Sequence, residues 1–304
     1  MDRLIDAINK MKNPSVFGLD PKIDYVPQHI REKSFSVFGK GALGAADAIW
    51  EFNKALIDAL CDIVPAVKPQ SAYYEMYGIA GLMTLKKTID YAKSAGLYVL
   101  LDVKRNDIGS TAEAYATAYL GKTQIDGDLY EESFGCDAVT INGYLGTDGI
   151  KPFTDACKQY DKDCFALVKT SNPSSGELQD MDLAAGGAVC EKMAALVEGW
   201  GADNIGAHGY SRVGAVVGAT YPEHAAKLRA LMPHTFFLVP GYGAQGGKAS
   251  DVAANFDKNG SGAIVNSSRG IMCAYRKGDY TPEQFAQAAR DEAIRMREEL
   301  NSIL

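Results

Sequence analysis

The sequence predicts an α/β protein folded as a single (β/α)8 TIM barrel, with an N-terminal helix ahead of it and a long insertion after strand one. Three observations carry this expectation. Short apolar runs alternate with helix-spaced segments from one end of the chain to the other, which is the pattern of a parallel sheet with crossover helices. Polar or charged residues stand at or just past the C-terminal end of most of those runs, where barrels of this kind carry their chemistry. No linker or compositional break divides residues 1–304, so one domain is expected. A doubly wound open sheet is the alternative, weakened because no GxGxxG follows the first strand.

Asp2 to Met11 has the spacing of a short amphipathic helix, ended by Asn13-Pro14. Val16-Phe17-Gly18-Leu19 is then a short buried strand closing on Asp20 and Pro21. Residues 22–43 are rich in Gly, Pro and charge, and their length predicts an inserted functional loop or a short extra helix. Ala45 to Leu60 places Ile49, Phe52, Leu56 and Leu60 on one helical face. Strand two, Ile63 to Gln70, carries Lys68 towards its end, and a helix from about Ile79 to Ser94 closes at Ala95-Gly96.

Strand three opens at Tyr98 and runs into the densest group of charges in the chain, Asp102-Val103-Lys104-Arg105-Asn106-Asp107. Thr111 to Leu120 reads as its helix, with a second helical piece near Asp128 to Phe134. Strand four is Ala138 to Asn142, with a helix over roughly Ile150 to Tyr160. Strand five is Cys164 to Asn172, and a long helix covers about Ala184 to Trp200. Strand six is Gly214 to Thr220, leading at Pro222 into a helix through Leu231. Thr235 to Pro240 and Gly262 to Asn266 are strands seven and eight, and a charged helix runs from Pro282 to about Ile303.

Composition narrows the function. The chain has 304 residues, 47% hydrophobic and 23% charged, enough for a large core, and its net charge of −7 argues against bulk binding to nucleic acid or an anionic membrane. The six cysteines form no CxxC pair and share no metal-ligand spacing with the four histidines, so buried free thiols are expected. No stretch approaches the ~20 apolar residues of a membrane span, and the N-terminus lacks the apolar core of a signal peptide. A cytoplasmic protein with reduced thiols is expected.

Asp20, Lys68, Asp102, Lys104, Asn142, Ser171, Gly241 and Asn266 all fall at or just past the ends of their strands. Each alone has a plain structural reading, a lone strand-end aspartate being commonly a helix cap. Strand alternation puts Asp102 and Lys104 on one face, and a lysine between two aspartates is held as an ammonium. Two late segments have the makings of an anion cradle. Pro240-Gly241-Tyr242-Gly243-Ala244-Gln245-Gly246-Gly247 lets backbone N–H groups approach a ligand, and Asn266-Ser267-Ser268-Arg269-Gly270 adds an arginine able to grip phosphate with two prongs. Turn chemistry alone also accounts for the glycines.

These segments resemble orotidine 5′-phosphate decarboxylases. Gly18-Leu19-Asp20-Pro21, Val67-Lys68-Pro69-Gln70, Asp102-x-Lys104-x-x-Asp107-Ile108-Gly109, Val168-Lys169-Thr170-Ser171-Asn172, Pro240-Gly241-Tyr242-Gly243-Ala244-Gln245 and Ser267-Ser268-Arg269-Gly270 match in the family's order, from about Val16 to Ile271. The insertion and the length are similar to the longer branch of that family. The resemblance implies conversion of orotidine 5′-monophosphate to UMP and CO2 without metal or organic cofactor. It makes Lys104 the proton donor to the carbon that loses CO2, sets Asp102 beside the departing carboxylate, and has Lys68 hold Asp102 and the ribose. It implies a homodimer in which Asp107 and Thr111 reach into the neighbouring subunit's site. Asp20 would bind a ribose hydroxyl, Ser171 would read the pyrimidine, Gln245 would contact phosphate and base, and Arg269 would clamp the phosphate.

Within the same superfamily, a metal-dependent phosphosugar decarboxylase or aldolase is the competing reading, disfavoured by a lysine at position 68 where those relatives use acidic groups for Mg²⁺. A Schiff-base aldolase through Lys104 needs a neutral amine, which the flanking carboxylates oppose. A non-catalytic phosphate-ligand-binding barrel is disfavoured by the intact Lys68, Asp102, Lys104 and Asp107 set.

Overall fold

The structure is a computed structural model and describes residues 1–243 and 249–304. Eight strands, Ser15–Leu19, Ala66–Pro69, Tyr98–Arg105, Ala138–Ile141, Asp163–Lys169, Val213–Val217, Phe237–Val239 and Ala263–Ser267, hydrogen-bond in sequential order, and the eighth returns to the first to close the barrel. Helices separate the strands, as the alternating pattern predicts. Closure removes the sheet edges, so every strand has a partner on each side.

Backbone contacts group the chain into two compact units. One comprises Ala7–Asp102 and Ser267–Ser302. Here strand one is buried along its whole length and pairs in parallel with strand two, Gly18 opposite Lys68 and Leu19 opposite Pro69. The helices Ala42–Leu60 and Gly78–Ser94 follow the apolar stripes of the sequence. Phe52, Leu56 and Ile57 are fully buried, and the Phe52 ring lies 5.2 Å from that of Phe285 at the start of the last helix, Phe285–Asn301. Burying each such side chain contributes ~1.5–3 kcal/mol. The insertion is largely helical: a single turn at Ile23–Tyr25 precedes the helix Gln28–Phe38, which Gly39 ends with φ of 78°. Tyr275 donates to the Tyr25 carbonyl at 3.0 Å and Arg276 donates to that of Asp24, tying the start of the insertion to the segment after strand eight.

The other unit comprises Met1–Asp6, Val103–Asn266 and Ile303–Leu304. Strand five pairs with strand six from Cys164 opposite Val213 to Lys169 opposite Val217. Gly214 is required there, because a Cβ would meet the Phe165 ring at 2.5 Å and the Phe236 carbonyl oxygen at 2.7 Å. At the N-terminal end of strand five the chain's own ammonium pairs with buried Asp163, and Arg3 lies 3.0 Å from Asp137.

Two sequence expectations are corrected. The piece near Asp128 to Phe134 is no helix: Thr123–Asp126 and Leu129–Glu131 form an exposed antiparallel hairpin. Gly127 turns it with φ of 49°, and the Gln124 amide donates to the Gly127 carbonyl at 2.7 Å. Asp126-Gly127 is a hairpin signal that outweighs the weak helical spacing around it. The helix expected from Ala184 begins only at Val189. Gly186 and Gly187, with φ of 88° and 78°, instead close a tight turn, and Leu183 N donates to Gly187 O at 2.8 Å.

Candidate active site

The unit holding strands one and two presents Asp20, Lys68 and Asp102. Lys68 Nζ donates to Asp102 Oδ2 at 2.9 Å, and the two side chains are only 5% and 9% exposed. Backbone bonds fix both ends of this pair. Gln70 N donates to Leu19 O at 3.0 Å and Ser71 N to Asp102 O at 3.1 Å, so strands one, two and three are locked where the charges stand. Burial pushes the Lys68 pKa down, but the charges of Asp102 and Asp20 and the hydrogen bond donated to Asp102 outweigh it and hold the pKa above the ordinary lysine value. Lys68 is therefore a fixed cation. Asp20 follows strand one directly, and its Oδ1 is buried with no hydrogen-bond partner among the described residues. A buried acceptor of that kind suits a ligand hydroxyl. Arg269 lies in the same unit, exposed, at the first position of the short helix Arg269–Met272.

The other unit presents Lys104, Asp107, Thr111, Asn142 and Ser171. Lys104 is exposed and has a left-handed backbone, with φ of 47°. An L-residue carries about 1–2 kcal/mol of strain in that region. Regular strand geometry is interrupted at Lys104, so alternation along the strand does not by itself fix its face. Both Val103 N and Lys104 N donate to Thr140 Oγ1 on strand four, at 3.0 and 2.9 Å. Arg105 follows, its guanidinium bonded to the Val103 carbonyl at 3.1 Å and set over the Tyr115 ring.

Asp107 Oδ1 accepts from Ile108 N at 2.8 Å, just ahead of the helix Gly109–Leu120. Thr111 is exposed in the first turn of that helix. The Asp107 loop sits tightly on Gly149, where a Cβ would come within 2.8 Å of the Asp107 carbonyl oxygen. Asn142 accepts from Tyr144 N at 3.0 Å and caps a single helical turn, which is the structural reading of a strand-end polar residue. Asn266 is buried within strand eight.

Ser171 stands two residues past strand five and packs on Gly218. Lys169, fully buried, anchors the loop that follows. Its Nζ lies 2.6 Å from Asp180 Oδ1, 3.2 Å from Ser175 Oγ and 4.6 Å from the centre of the Tyr221 ring. Gln179 adds two bonds to Thr170, at 2.9 and 2.8 Å. Sequence reasoning assigned no role to Lys169 or Thr140. A lysine directly after the apolar run Cys164–Val168 was a usable signal, because buried lysines require a partner. Gly241, two residues past strand seven, has φ of 99°, whereas Gln245 lies outside the described residues.

The closed, sequentially ordered parallel strands place the chain in the (β/α)8-barrel class. Residues 44–279 match the orotidine 5′-phosphate decarboxylase / HUMPS family, and the chain belongs to that family. It is 44% identical over 298 residues to the orotidine 5′-phosphate decarboxylase of Rhodopirellula baltica, covering 97% of this chain and 96% of the relative. It is 40% identical over 303 residues to that of Caldicellulosiruptor bescii, covering 100% and 98%. Among solved structures, the OMP decarboxylase of Leishmania donovani superposes with a TM-score of 0.73 at 30% identity, covering 99% of this chain and 97% of that one.

Proposed function

We propose that the protein decarboxylates orotidine 5′-monophosphate to UMP and CO2, the closing step of UMP synthesis, as one barrel domain over residues 1–304 and without a cofactor. The observation that carries this reading is the buried Lys68–Asp102 pair followed two residues on by Lys104, within a chain similar over its full length to named decarboxylases. In the reaction the bond from pyrimidine C6 to the carboxylate breaks and its electron pair stays on C6. Lys104 Nζ gives C6 a proton, CO2 leaves, and solvent returns a proton to Lys104. The charge left on C6 has no adjacent carbonyl placed to take it up, so preorganised positive charge gains most in the transition state.

Lys68 holds Asp102 in place beside the substrate's carboxylate, and Asp20, with its unpartnered oxygen, accepts from a ribose hydroxyl. Ser171 reads the pyrimidine, Arg269 binds the phosphate, and Gln245 completes the phosphate and base contacts. Binding energy from the phosphate, remote from C6, helps to hold the ring against the charges. Asp107 and Thr111 serve the site of the partner subunit in a homodimer. The six thiols are free, which supports work in a reducing cytoplasm, and no described helix is long and apolar enough to cross a membrane.

Turnover of orotidine 5′-monophosphate, followed in the presence of excess EDTA, tests the reading. Undiminished UMP formation is expected. Loss of activity on chelation, restored by Mg²⁺, would point to the metal-dependent members of the family instead.

A further inference from the structure

Successive N–H groups along an extended strand point to opposite sides, so they cannot share an acceptor. Val103 N and Lys104 N nevertheless converge on one oxygen, Thr140 Oγ1, at 3.0 and 2.9 Å. The chain can do this because it turns at Lys104, whose φ of 47° is left-handed. Lysine has no intrinsic preference for that conformation, and nothing in the local sequence supplies a glycine or asparagine to favour it at this position. The acceptor comes from another strand. Thr140 is 1% exposed in the middle of strand four, and its neighbours Val139 and Ile141 are fully buried, so its hydroxyl is held within packed surroundings. A valine there would fill the same volume and leave both amides without this acceptor.

We propose that Thr140 is a positioning residue for the reaction: its hydroxyl oxygen holds the left-handed turn at Lys104 and so sets where the Lys104 ammonium stands. Thr140 acts on Lys104 through the backbone and touches no substrate. The inference rests on Lys104 being the proton donor. Misplacing a reacting group by about 1 Å costs on the order of 100-fold in rate, and this sets the effect to expect. Substrate affinity, which comes mainly from the phosphate and ribose contacts, is expected to change little.

The experiment compares Thr140→Val, Thr140→Ser and Lys104→Ala, with kcat expressed per folded site as titrated by a tight-binding UMP analogue. Thr140→Val should lose on the order of 100-fold in kcat, with KM and analogue affinity within a few-fold of the parent, and Thr140→Ser should restore most of the rate by restoring the oxygen. A merely structural threonine would lower the melting temperature and the number of titratable sites but leave kcat per site unchanged, and that result overturns the proposal. Lys104→Ala separates the two levels. If it abolishes turnover while Thr140→Val keeps a normal kcat per site, Thr140 has no positioning role and the donor assignment stands. If Lys104→Ala turns over normally, the donor assignment fails and the inference with it. Should Thr140→Val not fold, Thr140→Cys takes its place, since a thiol is a weak acceptor of similar size. A kcat for the cysteine variant equal to that of the serine variant would then refute the proposal.

Discussion

Lys68 and Asp102 form a buried ion pair, Nζ to Oδ2 at 2.9 Å, across two adjacent strands. Neither group can be removed without leaving a charge in a poorly solvated place, so the pair holds the fold where the two strands meet. Replacing the lysine with an apolar side chain of similar length, Lys68→Met, is expected to destabilise the protein by about 3–5 kcal/mol, the usual cost of breaking a buried pair from one side. Turnover should fall below detection at the same time. Urea unfolding monitored by circular dichroism checks the first point. A loss of no more than about 1 kcal/mol, the scale of an exposed pair, would show that water reaches the pair and that it is not structural.

The same pair gives a pH signature. Burial lowers the Lys68 pKa, but Asp102 and Asp20 more than compensate, and the folded value lies above the ordinary 10.5. The folded state thus holds this proton more tightly than the unfolded chain does. The stability Lys68 contributes is complete below the unfolded value and is lost as pH rises through the folded one. The difference in unfolding free energy between the parent and Lys68→Met should therefore be constant up to about pH 10 and shrink above it. A difference that stays level, or grows, through the alkaline range would contradict the assigned direction.

Gly218 tests the seating of Ser171. A Cβ at residue 218 would lie 2.9 Å from the Ser171 N, Cα and Cβ atoms, a contact that only backbone movement relieves. Gly218→Ala should cost about 1–3 kcal/mol through overpacking and, with Ser171 in its proposed role as pyrimidine reader, raise KM for orotidine 5′-monophosphate by displacing it. Gly199→Ala is the control, because a Cβ there meets nothing within 4 Å and the residue lies inside the helix Val189–Gly201. That variant should be neutral or slightly more stable. Equal KM for the two variants would remove Ser171 from the binding role.

The proposed shared sites predict complementation. Lys104→Ala and Asp107→Ala homodimers should each be inactive. Mixed after reversible dissociation, they should regain activity, because one of the two sites in each heterodimer then carries neither substitution. No recovery, with heterodimers demonstrated by mass spectrometry, would mean that Asp107 serves its own subunit.

The eight-strand order, the N-terminal helix and the positions of Asp20 and Lys68 at strand ends were legible in the sequence, as was the placing of Asp102 on strand three. They follow from local patterns, namely apolar runs of strand length, helical spacing and charges at the junctions, which a linear chain displays directly. The hairpin at Thr123–Glu131 was also encoded locally, in Asp126-Gly127, and its turn outweighed the helical spacing read there. The backbone at Lys104 belongs to a different category. Its left-handed turn depends on Thr140, 36 residues away, delivering one oxygen to two successive amides. The burial of Lys169 likewise depends on Asp180 and Tyr221 arriving from later segments. The sequence by itself determined which residues carry the charge and on which strands they stand. Only the tertiary structure decided how the backbone presents Lys104 and what holds the loop after strand five, because each depends on partners brought together when distant segments pack.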